Sequence, residues 1–470
     1  MRFWSILLAL ALLAGCQHKY APPPDENGAG GAGRRDGGAG AGCVGLQCQV
    51  NQSCRNGAHT TLKGRVFAPN GILPLYNAAV FVPRTTVEPF PDGVTCNRCD
   101  GKLSGAPIAA ALTGPDGSFT LVDVPGGKDI PLVIQIGRWR RQVIIPGIDD
   151  CRDNTLLDTE LTRLPRNATE GDIPRIAIAS GRADPFECLL LKIGMDAREI
   201  TAPDDAFTGR IHYYLATDAP GPPLAGVTPR ADRLFATLPN LLRYDVVILP
   251  CEGGRFDKSA VDTMTVTPDP RVLLGQYLDA GGRVFATHLS YDWFTYARSP
   301  FNKIAAPTNG EGQWPVGQAD DYGNTIHVPL NATFPKGADF SSWLLFAGAH
   351  SAPGTLDINE GRHDLTGVDP TLAQPWAIYD FSGVGSGPGV MHFTFNTPLS
   401  PPKDDQGVPL YCGRVVFSDF HVSAGVRQSL DLPFPVACKA EPMTDQEKAL
   451  AFMLFDLSSC VQEDSIVPVL

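Results

Sequence analysis

The chain has no apolar run long enough to cross a bilayer and no surplus of positive charge. Its longest apolar stretch, residues 3–13, falls well short of the ~20 residues that a spanning helix needs. Lys and Arg number 38 against 50 Asp and Glu, for a formal charge of −12 at neutral pH. A nucleic-acid partner calls for a basic face, so that class is excluded, and so is electrostatic attachment to anionic lipid. The glycines of residues 28–42 have neither a strand before them nor a helix after them, which rules out a phosphate-cradling loop. What the chain does have is 43% hydrophobic residues, enough for real cores. Its 470 residues allow two or three domains beyond the N-terminal segment.

That segment reads as an address. Arg2 supplies a positive charge ahead of an apolar run with the length of a signal-peptide core. The run ends in Leu13-Ala14-Gly15-Cys16, with small residues where a signal peptidase needs a narrow substrate. This pattern resembles the lipobox of bacterial lipoproteins. The resemblance implies cleavage after residue 15, a diacylglyceryl group on the Cys16 thiol and an acyl group on the new amine. Several acyl chains make a stable membrane anchor, where one is marginal. Gln17 rather than Asp follows the Cys, which by the same resemblance sends the protein to the outer membrane. Residues 21–42 hold eight Gly, three consecutive Pro and no large apolar side chain. They cannot offset the entropy of ordering, so residues 16–42 are expected to form a lipidated flexible tether.

Twelve Cys in an exported chain are read first as disulfides, once Cys16 is set aside for lipid. Cys43, Cys48, Cys54, Cys96, Cys99 and Cys151 fall in the first folded region, and their connectivity stays open. Cys188, Cys251, Cys412, Cys438 and Cys460 fall later. An odd set leaves one thiol over, unless a bond crosses between regions. Cys96-Asn97-Arg98-Cys99 is a C-x-x-C motif. It lacks the second close pair of a four-ligand zinc site and the strand-to-helix setting of a redox motif, so structural disulfides are favoured.

From residue 61 to residue 146 the pattern is short strands and turns. Leu62-Lys63-Gly64-Arg65-Val66-Phe67 alternates, and Ala78-Ala79-Val80-Phe81-Val82 is a second β-rich run. Residues 107–113 form a third, and Gly114-Pro115-Asp116-Gly117 then makes a tight turn of hairpin type into Ser118-Phe119-Thr120-Leu121-Val122. Runs at 131–136 and 141–145 complete a small β-sandwich within residues 43–160. The segments LKGRVFAPNG, NAAVFVP and ALTGPDGSFTLVDVPGG resemble the carboxypeptidase regulatory-like domain, a transthyretin-like sandwich. The resemblance implies a spacer or binding module without catalytic residues. Gly137-Arg138-Trp139-Arg140-Arg141 is its one basic-aromatic cluster. It could grip an acidic or sugar ligand, but a packed Trp with solvated arginines is the commoner arrangement.

From about residue 173 strands alternate with helices. Arg175-Ile176-Ala177-Ile178-Ala179-Ser180-Gly181 is a buried strand, and Asp184-Pro185 opens a helix with Asp as its cap. Further strands are read at 210–215, 245–249 and 282–288, with helices near 230–242 and 271–280. Continuous apolar strands between helices mean a mainly parallel sheet covered on both faces. Ligands of such sheets bind beyond the carboxyl ends of the strands. That gathers Gly181, Cys251-Glu252-Gly253 and Thr287-His288 around one crevice. A strand over 413–421 brings His421 there too if it is parallel. The last helix begins with the capping box Thr444-x-x-Glu447. Its course suggests a Cys412–Cys460 disulfide and, more weakly, Cys188–Cys251, leaving Cys438 single. The expected fold is therefore multidomain: an all-β sandwich followed by an α/β domain with a mainly parallel, flavodoxin-like sheet over residues 173–461, with an insert at about 295–388.

The segments YDVVILPCEGG, LLGQYLDAGGRVFATHLSYDWF and GRVVFSDFH resemble the class I glutamine-amidotransferase-like fold. In that family a Cys nucleophile sits at the elbow after the middle strand, and a His follows the last strand with a Glu two positions on. Here the elbow carries His288-Leu289-Ser290, and His421 matches the family His, but Ser423 stands in place of the Glu. Without thiol and carboxylate at those places, the resemblance supports the fold and not the amidotransferase reaction. The two-domain order with its Cys pattern also resembles uncharacterised bacterial surface lipoproteins.

Two functions stay open. One is an envelope-anchored binding or structural module, with an envelope protein or carbohydrate as partner. The other is a hydrolase or metal-dependent enzyme acting on a carbohydrate or amide. For it, His288 and His421 would face each other, Ser290 would be the nucleophile beside His421, and Asp419, Asp292, Glu252 and Gly253 would line the site. Relatives in the sugar-utilisation branch of the superfamily also carry His at the elbow. Cys251 is the remaining thiol near the crevice, and the insert offers His350 and the polar run Glu360-Gly361-Arg362-His363-Asp364 as a lid. No cofactor and no resident metal is assigned from the sequence.

Overall fold

The computed structural model describes residues 45–470, apart from 100, 218, 254–268, 296, 298, 308–324, 360, 385–386 and 424–426. The signal, Cys16, the tether and Cys43 lie outside the described residues. So does Glu360. Residues 44–470 belong to one compact unit. It is β-rich and built from several sheets.

The first part of this unit has a three-stranded and a four-stranded sheet. The strands are β1 (Thr61–Arg65), β2 (Ala79–Pro83), β3 (Pro107–Leu112), β4 (Ser118–Val122), β5 (Gly127–Ile136), β6 (Trp139–Ile148) and β7 (Asp153–Thr155). Their order is β4-β1-β7 in one sheet and β3-β2-β5-β6 in the other. Period-two burial drives the layering: Phe119 and Leu121 of β4 point inward while Ser118, Thr120 and Val122 face out. The Asp-Gly turn differs from the expected hairpin. β3 pairs with β2, whereas β4 pairs with β1, so the turn carries the chain from one sheet to the other. Gly117 has φ +76°, and a Cβ there would lie 2.6 Å from the Val66 carbonyl oxygen, so the corner requires glycine.

The second part is organised by an eight-stranded sheet. Its strands are β8 (Ile176–Ser180), β9 (Ile200–Thr201), β10 (Ile211–Leu215), β11 (Val246–Leu249), β12 (Arg283–Thr287), β17 (Gln374–Asp380), β18 (Pro388–Thr397) and β19 (Gly413–Ser418). The order is β17-β18-β19-β12-β11-β8-β10-β9. The six strands from β19 to β9 run parallel, and β18 and β17 add an antiparallel edge. Every residue of β8, β11, β12 and β19 is buried, as a parallel sheet covered on both faces demands. The insert contributes two small antiparallel pairs, β13 (Ala305–Pro307) with β16 (Leu365–Val368) and β14 (Thr325–Pro329) with β15 (Thr355–Asn359), and the helix Pro335–Phe346. The capping box of the final helix, Asp445–Ser458, forms as expected. The Asp184 cap does not: the helix Phe186–Lys192 has Pro185 at its cap, and the Asp184 side chain is used elsewhere.

The two parts share one hydrophobic core. Trp139 is buried with its ring 5.8 Å from Phe455, and Tyr76 stacks on Phe452. The basic-aromatic cluster is consumed in this packing. Arg138 donates to the Pro91 and Gly93 carbonyls and pairs with Asp245 at 3.1 Å, while Arg140 pairs with Asp172 and covers the Phe90 ring.

Two disulfides cross between the parts, Cys96–Cys412 and Cys99–Cys460. Cys54–Cys151 closes within the sandwich, Cys188–Cys438 within the α/β part, and Cys48 is also bridged. The expected Cys412–Cys460 pair is thereby corrected. Cys412 and Cys460 each meet one thiol of the C-x-x-C motif instead. Cys188–Cys251 is corrected as well, because Cys438 takes Cys188 and leaves Cys251 as the free thiol among the described cysteines.

A buried charge network pins the insert helix to the final helix and β19. Lys336 Nζ lies 2.8 Å from Asp456 and 3.4 Å from Asp464, while Arg414 reaches the same carboxylates at 2.9 and 2.7 Å. Burial alone would raise the Asp456 carboxyl, but Lys336 and Arg414 outweigh it and hold it at about 2. With the folded value depressed, this stabilisation is present above the ordinary carboxylate range and is lost as pH falls towards 2. Lys336→Met leaves one cation for two buried carboxylates, which is expected to cost about 3–5 kcal/mol. Urea unfolding should show that loss, with an acid transition moved to higher pH. An unchanged midpoint contradicts the network's role.

Candidate functional site

Parallel strands end together, so the residues just beyond β11, β12 and β19 share one edge of the sheet. Cys251 follows β11, His288 follows β12 and His421 follows β19. All three are buried. His288 Nδ1 lies 3.0 Å from Cys251 Sγ and 2.9 Å from His421 Nε2. The two rings meet nearly edge to face, at 73°. On its other side, His288 Nε2 lies 3.0 Å from Asp364 Oδ2. The imidazole thus stands between a thiol and a second imidazole on one face and a carboxyl on the other.

The backbone is shaped to allow this. His288 adopts φ +44°, a left-handed conformation that side chains rarely take, at the sharp turn from strand to helix. A Cβ on Gly181 would lie 2.3 Å from the Cys251 carbonyl oxygen, so the β8 and β11 ends meet only through glycine. The Gly253 N–H donates to Cys251 Sγ at 3.2 Å. Asp184 ties three strand ends together: it accepts from the Val422 N–H at 2.9 Å and from the Thr287 hydroxyl, whose oxygen accepts the Cys251 N–H. Gln446, in the first turn of the final helix, donates to the His421 carbonyl.

Burial sets the protonation states. It pushes the Cys251 thiol up, against the pull of the Gly253 and Leu289 N–H groups. It also pushes both imidazoles well down, with the buried Arg362 guanidinium adding to the effect. Burial lifts Asp364 and Asp184 to about 7. Asp419 is raised well above the usual carboxylate range by burial and by the facing Asp364. Its Oδ2 accepts the Asp364 N–H at 2.9 Å, and its carbonyl accepts the Arg362 N–H. At neutral pH the centre therefore holds neutral imidazoles beside carboxyls shifted towards their protonated form, a set that can accept and supply protons.

The structure brings His288, His421 and Asp419 together as the sequence suggested. Ser290 is buried nearby, but its hydroxyl donates to the Pro250 carbonyl, and the sulfur of Cys251 occupies the place beside His288. Asp292 is buried at the start of the short helix Asp292–Thr295, and Glu252 is half-buried at the β11 end. Among the described polar residues named in the insert, Asp364 and the Arg362 backbone reach the site. His363 turns away to the Pro388 carbonyl and stacks on Phe381, and His350 is exposed. Asp364 and Asp184 are the functional residues that sequence reasoning assigned elsewhere, one to a lid and one to a helix cap. A groove of ≈ 910 Å³ between the sandwich and the C-terminal segment touches none of these groups.

No family model matches the chain, and no curated protein matches it. Among solved structures, a cytoplasmic protein from Salmonella typhimurium, STM3548, is similar over 58% of this chain and 83% of its own, at 10% identity and TM-score 0.27. A mutant type II cohesin-X-dockerin complex from Acetivibrio cellulolyticus is similar over 30% of this chain and 75% of its own, at 14% identity and TM-score 0.15. With TM-scores this low, neither neighbour bears on the fold or activity of this chain.

Non-reducing peptide mapping of the purified protein should recover Cys96–Cys412, Cys99–Cys460 and Cys188–Cys438, with Cys251 unbridged. A Cys188–Cys251 bridge would disarm the thiol and contradict the site.

Proposed function

We propose that this chain is a lipid-anchored protein of the outer membrane whose α/β domain is a hydrolase acting on an amide or carbohydrate substrate. The observation that carries the reading is the placement of the neutral His288 ring, with Cys251 and His421 at Nδ1 and Asp364 at Nε2. A base with a carboxyl beside its outer nitrogen is the core of nucleophilic and general-base hydrolysis. The anchor is supported by the lipobox-like Leu13-Ala14-Gly15-Cys16 and the tether that follows it.

The finer reading of the fold belongs with this proposal. Taken in chain order, β10-β8-β11-β12-β19 is the sequence 2-1-3-4-5, the flavodoxin-like order. The sandwich is read as a regulatory-like spacer and the sheet as an amidotransferase-like domain. A thiol and a carboxyl missing from their usual places speak for a binding module. Both groups are present here from other places: the thiol comes from the neighbouring strand β11 and the carboxyl from the insert.

His288 takes the proton of the attacking group, with Asp364 beside its outer nitrogen. Asp184 and Gln446 are positioning residues, fixing the β12 end and the His421 backbone respectively. The test is release of nitroaniline from γ-glutamyl-4-nitroanilide and of nitrophenol from 4-nitrophenyl glycosides by the intact protein. One probe is expected to turn over, and His288→Ala to lower that rate about 10²–10⁴-fold with the fold retained by circular dichroism. No turnover of any probe, or turnover untouched by His288→Ala, overturns the reading in favour of a binding module.

A further inference from the structure

We propose that Cys251 Sγ, His288 Nδ1 and His421 Nε2 hold one divalent transition-metal ion of the zinc class. The inference rests on the reading of this cluster as the reactive centre and names what that centre binds; with the ion bound, His288 Nδ1 serves as a ligand in place of a base.

The donor atoms converge. All three lie within 4.8 Å of one another, on residues that are each buried. The contact also has a chemical oddity. An imidazole nitrogen has a single lone pair in the ring plane or a single hydrogen. Yet His288 Nδ1 is approached by both Cys251 Sγ at 3.0 Å and His421 Nε2 at 2.9 Å. One hydrogen bond cannot serve both neighbours well. A cation placed among the three atoms takes a lone pair from each.

The donor set suits a borderline-soft ion: one thiol and two imidazoles are zinc ligands, whereas a hard cation wants oxygens. Around a tetrahedral zinc ion with bonds of about 2.0–2.3 Å, donors sit roughly 3.4–3.7 Å apart. Admitting the ion therefore requires these atoms to part by about half an ångström. The surroundings match as well. The outer nitrogen of His288 lies 3.0 Å from Asp364 Oδ2 without hydrogen-bond alignment, so a small turn of the ring on metal binding would give the carboxyl-to-histidine support that metal-binding imidazoles use. The Gly253 N–H on Cys251 Sγ favours the thiolate that a metal needs.

A second donor set, His288 with Asp364 and Asp419, lies on the other side of the ring. It is the poorer one, because the two carboxyls face each other and Asp419 already accepts the Asp364 N–H. Three protein ligands leave a fourth position for a water or a substrate atom, the arrangement of catalytic rather than structural zinc.

The purified full chain is expected to carry close to one equivalent of zinc by mass spectrometry of its metals. Cys251→Ser and His421→Ala should lose it, and Asp364→Asn should weaken affinity about 10–100-fold. Where Cys251→Ser does not fold, the wild type decides: metal-free protein given Co²⁺ should show a near-ultraviolet thiolate-to-cobalt band. Chelator-stripped protein that takes up neither Zn²⁺ nor Co²⁺ overturns the proposal. So does metal retained by Cys251→Ser and lost in Asp419→Asn. If no metal binds but the His288-dependent turnover persists, the metal site falls and the hydrolase reading stands. If metal binds and no probe is turned over, the reverse holds.

Discussion

Everything in the crevice serves to hold one imidazole in one orientation. His288 meets a thiol and a second imidazole through one nitrogen and a buried carboxyl through the other. Each neighbour arrives on a different element: Cys251 after β11, His421 after β19 and Asp364 ahead of a strand in the insert. The backbone of His288 is bent into a left-handed conformation to present the ring. That conformation persists because its surroundings over-determine it. Asp184, buried beneath, joins the ends of β12 and β19 through Thr287 and Val422. Removing water from these groups keeps the imidazoles neutral and lets a carboxyl retain its proton, so burial produces the chemistry as well as the shape.

The sandwich is not separate from the α/β part. It shares a hydrophobic core with the α/β part and is fastened to it by two disulfides from a single C-x-x-C motif. Arg138 and Trp139 dock against Asp245 and the final helix. Cys412 and Cys460 anchor the start of β19 and the end of the final helix, the two elements that deliver His421 and Gln446 to the site. Covalent attachment at their far ends limits how these elements can shift relative to the sheet.

Much of this was legible in the sequence. Fully buried parallel strands appear as continuous apolar runs, so the segments ending at Cys251, His288 and His421 could be read and placed at one sheet edge. Their convergence followed from strand direction alone. The errors share a physical cause. Asp364 lies in an insert, Asp184 has the position of a helix cap, and Gly114-Pro115-Asp116-Gly117 has the chemistry of a hairpin turn. In each case local pattern was outweighed by contacts distant in sequence. The disulfides misread for the same reason, since Cys96 and Cys99 sit more than 300 residues from their partners, at separations of 316 and 361.

The central claim is that His288 is a neutral imidazole with its hydrogen on Nε2 and its lone pair on Nδ1. Long-range ¹⁵N–¹H correlation spectra of the histidine rings at neutral pH report this directly. The account predicts a neutral Nε2–H tautomer for His288. A protonated ring, or the Nδ1–H tautomer, would contradict it.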